Sequence, residues 1–171
     1  MNSNNTKCFC ILDCDVLKQI QQEVINYLTE HTNLLVVKPE QPWNTTDTQL
    51  IIKNCPSIIR WLIPKKIIPN EISFIVCHDL GTALDIHTDE PPLISKINVP
   101  IQNTSGNITR WHKDTGEVIA EYSMNQPIVF NSSIPHSVEI YNTNLPRVVM
   151  SIMCNNEKPL LKLLQTTEYT Q

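Results

Sequence analysis

The residues with the clearest chemical potential lie in Ala83-Leu84-Asp85-Ile86-His87-Thr88-Asp89-Glu90-Pro91-Pro92. The stretch reads as a strand halted by a double proline, with a histidine and an aspartate two residues apart at its end. Alternate side chains of a strand share a face, so His87 and Asp89 project to the same side. An imidazole nitrogen and a carboxylate oxygen held side by side are two members of the 2-His-1-carboxylate arrangement that binds non-haem Fe(II) and leaves coordination positions open. His136, entering a run after the turn Asn131-Ser132-Ser133-Ile134-Pro135, is the candidate for the third. Arg147 then opens the last apolar run, behind Asn142-Thr143-Asn144-Leu145-Pro146. The two runs are expected to form a hairpin that sets Arg147 beside His136. A guanidinium is permanently charged and offers paired donors that match a carboxylate, which suits a dicarboxylate whose other end meets the metal.

Each residue also has a plainer reading. His87 and Asp89 can form a buried hydrogen-bonded pair without metal, His136 can cap a turn, and Arg147 can pair with Glu139. A second H-x-D, His112-Lys113-Asp114, competes for the metal, but Asp114 belongs to the hairpin tip Asp114-Thr115-Gly116. Too few strands separate it from His136, and His112 reads as a strand-end residue near solvent. His78 and Asp79 are adjacent and point to opposite faces, and His31 ends a helix, where a cation is favoured. Asp85, two residues before His87, is expected to face inward. There it needs a substrate contact or a partner such as Lys96, because an unpaired buried carboxylate is costly.

The elements that must position these side chains fall into two halves. Asp13 precedes Val16, Leu17, Ile20, Val24, Ile25 and Leu28 at helical spacing, so a helix capped by Asp13 is expected to run to about Glu30. Leu34-Leu35-Val36-Val37 reads as a first strand and Gln41-Pro42-Trp43-Asn44-Thr45-Thr46 as a loop. The cluster Leu50-Ile51-Ile52 leads into a short helix over residues 55–62, with Pro56 near its first turn. From Glu71 the texture changes to short β-rich runs separated by turn residues. They cover residues 72–77, the His87 stretch, 93–101, 107–112, 118–122, 127–130, 136–141 and 147–154. These eight runs fit a cupin-like double-sheet jelly roll, a double-stranded β-helix, giving a mainly β (α+β) fold with N-terminal supporting helices. One domain is expected over residues 1–171, with a helical supporting region at 1–70, the jelly-roll core at 71–154 and a tail at 155–171. Leu160, Leu161, Leu163 and Leu164 make that tail a short amphipathic helix or an interface segment, which leaves room for a homodimer.

Composition narrows the function classes. The chain has 171 residues, a net charge of −4 and 41% hydrophobic residues in short interrupted runs. The acidic balance argues against a nucleic-acid partner. No run approaches the roughly 20 apolar residues of a membrane span, and the opening residues have no secretory pattern, so a cytoplasmic protein is expected. Six cysteines, including the Cys8, Cys10 and Cys14 cluster, show no C-x-x-C pair or zinc spacing and read as free, small buried hydrophobes.

The pattern His87-Thr88-Asp89, His136 and Arg147 resembles the H-x-D…H…R signature of the Fe(II)/2-oxoglutarate-dependent oxygenases, over roughly residues 72–154. Many relatives carry Ser or Thr two residues after the arginine; here that position is Val149. The resemblance implies Fe(II) on His87, Asp89 and His136, with 2-oxoglutarate as cosubstrate held by Arg147, and O₂ as oxidant. Asn98, Thr109 and Trp111 either line the cosubstrate pocket or pack in the core. The implied reaction is hydroxylation or demethylation of a small molecule, amino acid or peptide side chain, with release of succinate and CO₂. The carboxylate at Asp89 argues against the related halogenases, which carry a small residue there. Two other classes stay open: a non-catalytic jelly-roll binding module, and a cupin-like metalloprotein that does not use 2-oxoglutarate.

Overall fold

The computed structural model describes residues 7–36, 43–77, 84–89, 95–141, 146–154 and 156–165. His78, residues 79–81, Pro91, Pro92 and the turn at 142–145 lie outside the described residues. The chain opens with a short strand, β1 (Phe9–Ile11), and the helix α1 (Leu17–Glu30), which buries Ile20, Val24, Tyr27 and Leu28 at the three-to-four-residue spacing of one helical face. Val16, not Asp13, occupies the N-cap position, and no side chain caps the helix. Asp13 serves through its backbone instead, its carbonyl accepting a hydrogen bond from Trp61 Nε1 at 2.9 Å.

The run at Leu34 is a 3₁₀ turn, Thr32–Leu35, and not a strand. A four-residue apolar run does not distinguish the two. The Asn44 side-chain amide donates to the carbonyls of Leu34 (3.0 Å) and Val36 (2.9 Å), occupying acceptors that a strand partner would use. Asn44 itself lies in β2 (Trp43–Thr45), within the expected loop. Two short helices follow, α2 (Thr48–Asn54), capped by the Asp47 carboxylate, and α3 (Pro56–Leu62), with its proline in the first turn.

The remaining strands are β3 (Pro69–Cys77), β4 (Leu84–His87), β5 (Ser95–Gln102), β6 (Ile108–His112), β7 (Val118–Ser123), β8 (Ile128–Asn131), β9 (His136–Glu139) and β10 (Arg147–Cys154). The helix α4 (Lys158–Gln165) closes the described chain and buries Leu160 and Leu164. Among the described residues the strands form a six-stranded sheet, β1-β8-β5-β10-β3-β2, and a four-stranded sheet, β4-β9-β6-β7, all paired antiparallel. This is a jelly roll with flanking helices. The first half contributes more than support, since β1 and β2 form the two edges of the larger sheet. No helix among the described residues is long and apolar enough to cross a membrane.

Period-two alternation divides the larger sheet. Ile72, Phe74 and Val76 of β3, Ile97, Val99 and Ile101 of β5, and Val148, Met150 and Ile152 of β10 belong to one buried cluster with α1, α2, α3 and α4. The main core therefore lies between helices and sheet, outside the jelly roll. The intervening residues, among them Ile75, Lys96, Asn98, Arg147 and Val149, line a cavity between the sheets.

Candidate metal centre and anion pocket

His87 and His136 face each other directly in the register of β4 and β9. Their rings lie 4.4 Å apart, and one ligand atom from each of His87, Asp89 and His136 falls within 4.8 Å of the others. Among the described residues this is the one group of three that could hold a metal ion. Both imidazoles are oriented by the backbone. His87 Nδ1 donates to the Asp85 carbonyl at 2.7 Å, and His136 Nδ1 donates to the Ile134 carbonyl at 2.9 Å. That places the proton on Nδ1 and leaves each Nε2 lone pair for a cation, the usual outer support of a metal-ligating histidine.

The supporting turn is built by Asn131. Its side-chain oxygen accepts from Ser133 N (3.2 Å) and Ser133 Oγ (2.7 Å), and its carbonyl accepts from Trp111 Nε1 (3.3 Å). Asp89 N in turn donates to the Ser132 carbonyl at 3.1 Å, tying the residues beyond β4 to the same turn. His136 is buried, with its ring against the edge of Phe130 at 4.7 Å. Burial pushes its pKa down to about 4, with His87 and Lys96 adding to the fall and the Nδ1 bond and Asp89 opposing it. At neutral pH its ring is therefore uncharged. His87 stands at the solvent side.

Lys96 Nζ holds Asp89 Oδ2 at 2.5 Å and sits over the Phe130 ring at 5.2 Å. Lys96 was one of the contacts considered for Asp85; it pairs with Asp89 instead and fixes one oxygen of that carboxylate. The signal was present in the alternation, since Lys96 lies two residues before the inward Asn98. Asp85 does not face inward. Leu84 pairs with Val138 and His87 with His136, so the register slips by one residue between them and turns Asp85 out to solvent. Among the described residues, Asp85 is not in the lining of the cavities that His87 and His136 line.

Arg147 does not lie on the strand beside His136. Strand β9 sits between β4 and β6, whereas β10 sits between β5 and β3 in the opposite sheet. Arg147 reaches the cavity from across the jelly roll. It shares that cavity with His87, Asp89, Lys96, Asn98, Thr109 and His136, and the walls are completed by apolar side chains that include Val149, Met124 and Phe130.

The Arg147 side chain is 3% exposed, and its Nε has no hydrogen-bond partner. Among the described residues no carboxylate pairs with it. Burial lowers its pKa, and the Cys77 thiol, directly opposite on β3, is the neighbour that opposes the fall. Glu139, its other expected partner, is engaged by Arg110. A buried guanidinium without a counter-charge is costly, and an anion entering the cavity would relieve it. Asn98 Oδ1 is a second buried atom without a partner.

Trp111 lies outside the cavity lining. It is fully buried, stacked on Phe9 at 4.9 Å, and belongs to the core reading of the two considered for it. His112 differs from expectation, being buried with ring nitrogens on the Gly116 carbonyl (3.1 Å) and Ser137 Oγ (2.8 Å). His31 caps α1, its Nδ1 donating to the Tyr27 carbonyl at 2.8 Å. The six cysteines are free; burial pushes Cys55 up to about 12 and Cys14 and Cys154 up to about 11, which keeps those thiols protonated.

No protein-family model and no curated protein matches the chain. Solved structures do. The chain is similar to a prolyl hydroxylase from Trichoplax adhaerens in complex with a hypoxia inducible factor oxygen degradation domain peptide fragment (14% identity, 91% of this chain and 87% of that one, TM-score 0.58). It is similar to EctD from S. alaskensis with 2-oxoglutarate and 5-hydroxyectoine (10% identity, 86% and 71%, TM-score 0.54). A third is the non-heme monooxygenase ThoJ as its nickel complex (14% identity, 86% and 73%, TM-score 0.51). The chain has the jelly-roll fold of these oxygenases. At such identities the likeness lies in the path of the backbone, and the case for chemistry rests on the side chains described above.

Proposed function

We propose that this chain is an Fe(II)- and 2-oxoglutarate-dependent dioxygenase that hydroxylates a small molecule, an amino acid or a peptide side chain, releasing succinate and CO₂. The observation that carries the reading is one cavity holding both a His-Asp-His cluster within 4.8 Å and an arginine buried without a counter-anion. His87, Asp89 and His136 would hold the metal, the two histidines through Nε2 and Asp89 through its carboxylate. The bound iron, with 2-oxoglutarate and O₂, supplies the oxidising chemistry. Arg147 would bind the distal carboxylate of 2-oxoglutarate through charge-assisted hydrogen bonds in a site shielded from water. Val149 cannot donate there, so Thr109 and Asn98, in the same cavity, are the polar side chains placed to complete that contact. The apolar walls at Ile75, Met124, Phe130 and Val138 would limit water around the reacting groups. The free thiols accord with a reducing, cytoplasmic setting.

The test is an anaerobic titration with Fe(II) followed by 2-oxoglutarate. A weak visible charge-transfer band and slow succinate release in air are expected from the wild-type chain and not from His87→Ala. Iron binding without 2-oxoglutarate binding would replace the proposal with a metalloprotein of another kind. Failure to bind any divalent ion would leave a binding module.

A further inference from the structure

Strands β3 and β10 run side by side with Arg147 opposite Cys77, Val149 opposite Ile75, Ser151 opposite Ser73 and Met153 opposite Glu71. Period two sets these pairs on one face, the face turned into the jelly roll. Arg147, Val149 and Ile75 line the cavity already described. Ile75, Ser73, Ser151, Met153 and Glu71 line a second, wider groove. The two spaces share Ile75, His87, Asp89 and Lys96, so they form one channel with the metal-site residues at its waist. The arginine end is the anion pocket. The other end is the groove that runs toward Glu71.

Its charge is of the opposite sign. Lys96 is engaged with Asp89, and Thr45, Thr88, Ser73 and Ser151 are neutral hydroxyls. Glu71 is half-buried and has no ion pair or hydrogen bond with any described side chain, which makes it the unbalanced charge of the groove. A carboxylate facing the groove attracts a cation and repels a second anion. Glu71 lies four residues from Ile75, about 13 Å along an extended strand. A ligand that meets both therefore carries its charge several bonds away from the carbon presented at the waist.

We infer that the groove takes a substrate with a terminal ammonium or guanidinium group on an aliphatic chain, and that Glu71 holds that group. The inference rests on the oxygenase reading for the direction in which the substrate enters. It can be tested with Nα-acetyl-L-lysine methylamide and Nα-acetyl-L-arginine methylamide as charged probes, and the norleucine and citrulline counterparts as neutral ones. Calorimetric titrations of the metal-free and the Mn(II)-loaded full chain are compared for wild type, Glu71→Gln and Glu71→Asp. The wild type is expected to bind at least one charged probe about tenfold or more tighter than its neutral counterpart. Glu71→Gln should lose that preference and Glu71→Asp should keep most of it, with unfolding midpoints of both variants checked against wild type. Equal binding of charged and neutral probes, an undiminished preference in Glu71→Gln, or no binding of either charged probe at millimolar concentration overturns the inference. A preference that persists in the metal-free chain while the Fe(II) and 2-oxoglutarate titration fails would overturn the oxygenase reading and leave the cation site standing. The opposite pattern would remove only the cation site.

Discussion

Arg147, buried, and Lys96, half-buried, are both cations on the inner face of the larger sheet, yet they differ in what balances them. Lys96 has Asp89 at 2.5 Å, whereas Arg147 has a thiol for a neighbour and an unbonded Nε. A charge left in that state destabilises the free protein and strengthens binding of whatever anion completes it. Two outcomes follow for Arg147. In Arg147→Ala the 2-oxoglutarate concentration giving half-maximal succinate release should rise at least about tenfold, while Mn(II) affinity changes less than about twofold. An equal loss of both would mean that the arginine supports the metal cluster and not the cosubstrate. In the ligand-free chain Arg147→Met should unfold at a higher urea concentration than wild type, because an apolar chain of similar length replaces an unpaired charge. A lower midpoint would show that the guanidinium is satisfied in the folded protein.

Individual elements owe their position to a few polar contacts that local sequence makes legible only in part. The one-residue slip in β4 keeps His87 opposite His136 while turning Asp85 outward, and nothing in Leu84-Asp85-Ile86 marks it beforehand. The Asn131 turn, by contrast, follows from ordinary side-chain-to-backbone bonding of Asn and Ser. Asp47 is the clearest helix cap, its carboxylate accepting from Gln49 N at 2.8 Å and Leu50 N at 3.1 Å. Asp47→Ala should cost about 1 kcal/mol of stability in urea unfolding, with no change in metal affinity. A much smaller loss would show that α2 is held by Ile51 packing alone.

On the scale of the molecule, stability and function occupy opposite faces of one sheet. Phe74 lies in the helix-facing core, while its neighbour Ile75 looks into the channel. Phe74→Ala should cost about 3–5 kcal/mol in equilibrium denaturation. Ile75→Ala should cost less and should instead alter 2-oxoglutarate or substrate binding. Similar losses from both would contradict the division. Because the helices take up the apolar face, the interior of the jelly roll can stay partly open and polar without leaving the domain short of core.

The order and alternation of apolar runs pointed to the jelly roll and the main supporting helices, whereas His87, Asp89 and His136 were singled out by residue type and by their resemblance to the H-x-D…H…R signature. These are local signals: period two in strands, helical spacing over residues 16–28, and turn residues between runs. Which strands share a sheet is a long-range matter, and there the expectation of a β9–β10 hairpin was wrong. Consecutive strands often pair, as β6 and β7 do, but β8, β9 and β10 alternate between the sheets, so Arg147 meets His87, Asp89 and His136 across the cavity. The partner of Lys96, the outward turn of Asp85 and the core position of Trp111 were likewise decided by tertiary structure. A sequence states which side chains are available and with what period they recur; the charge each one meets depends on chain segments that only folding brings near.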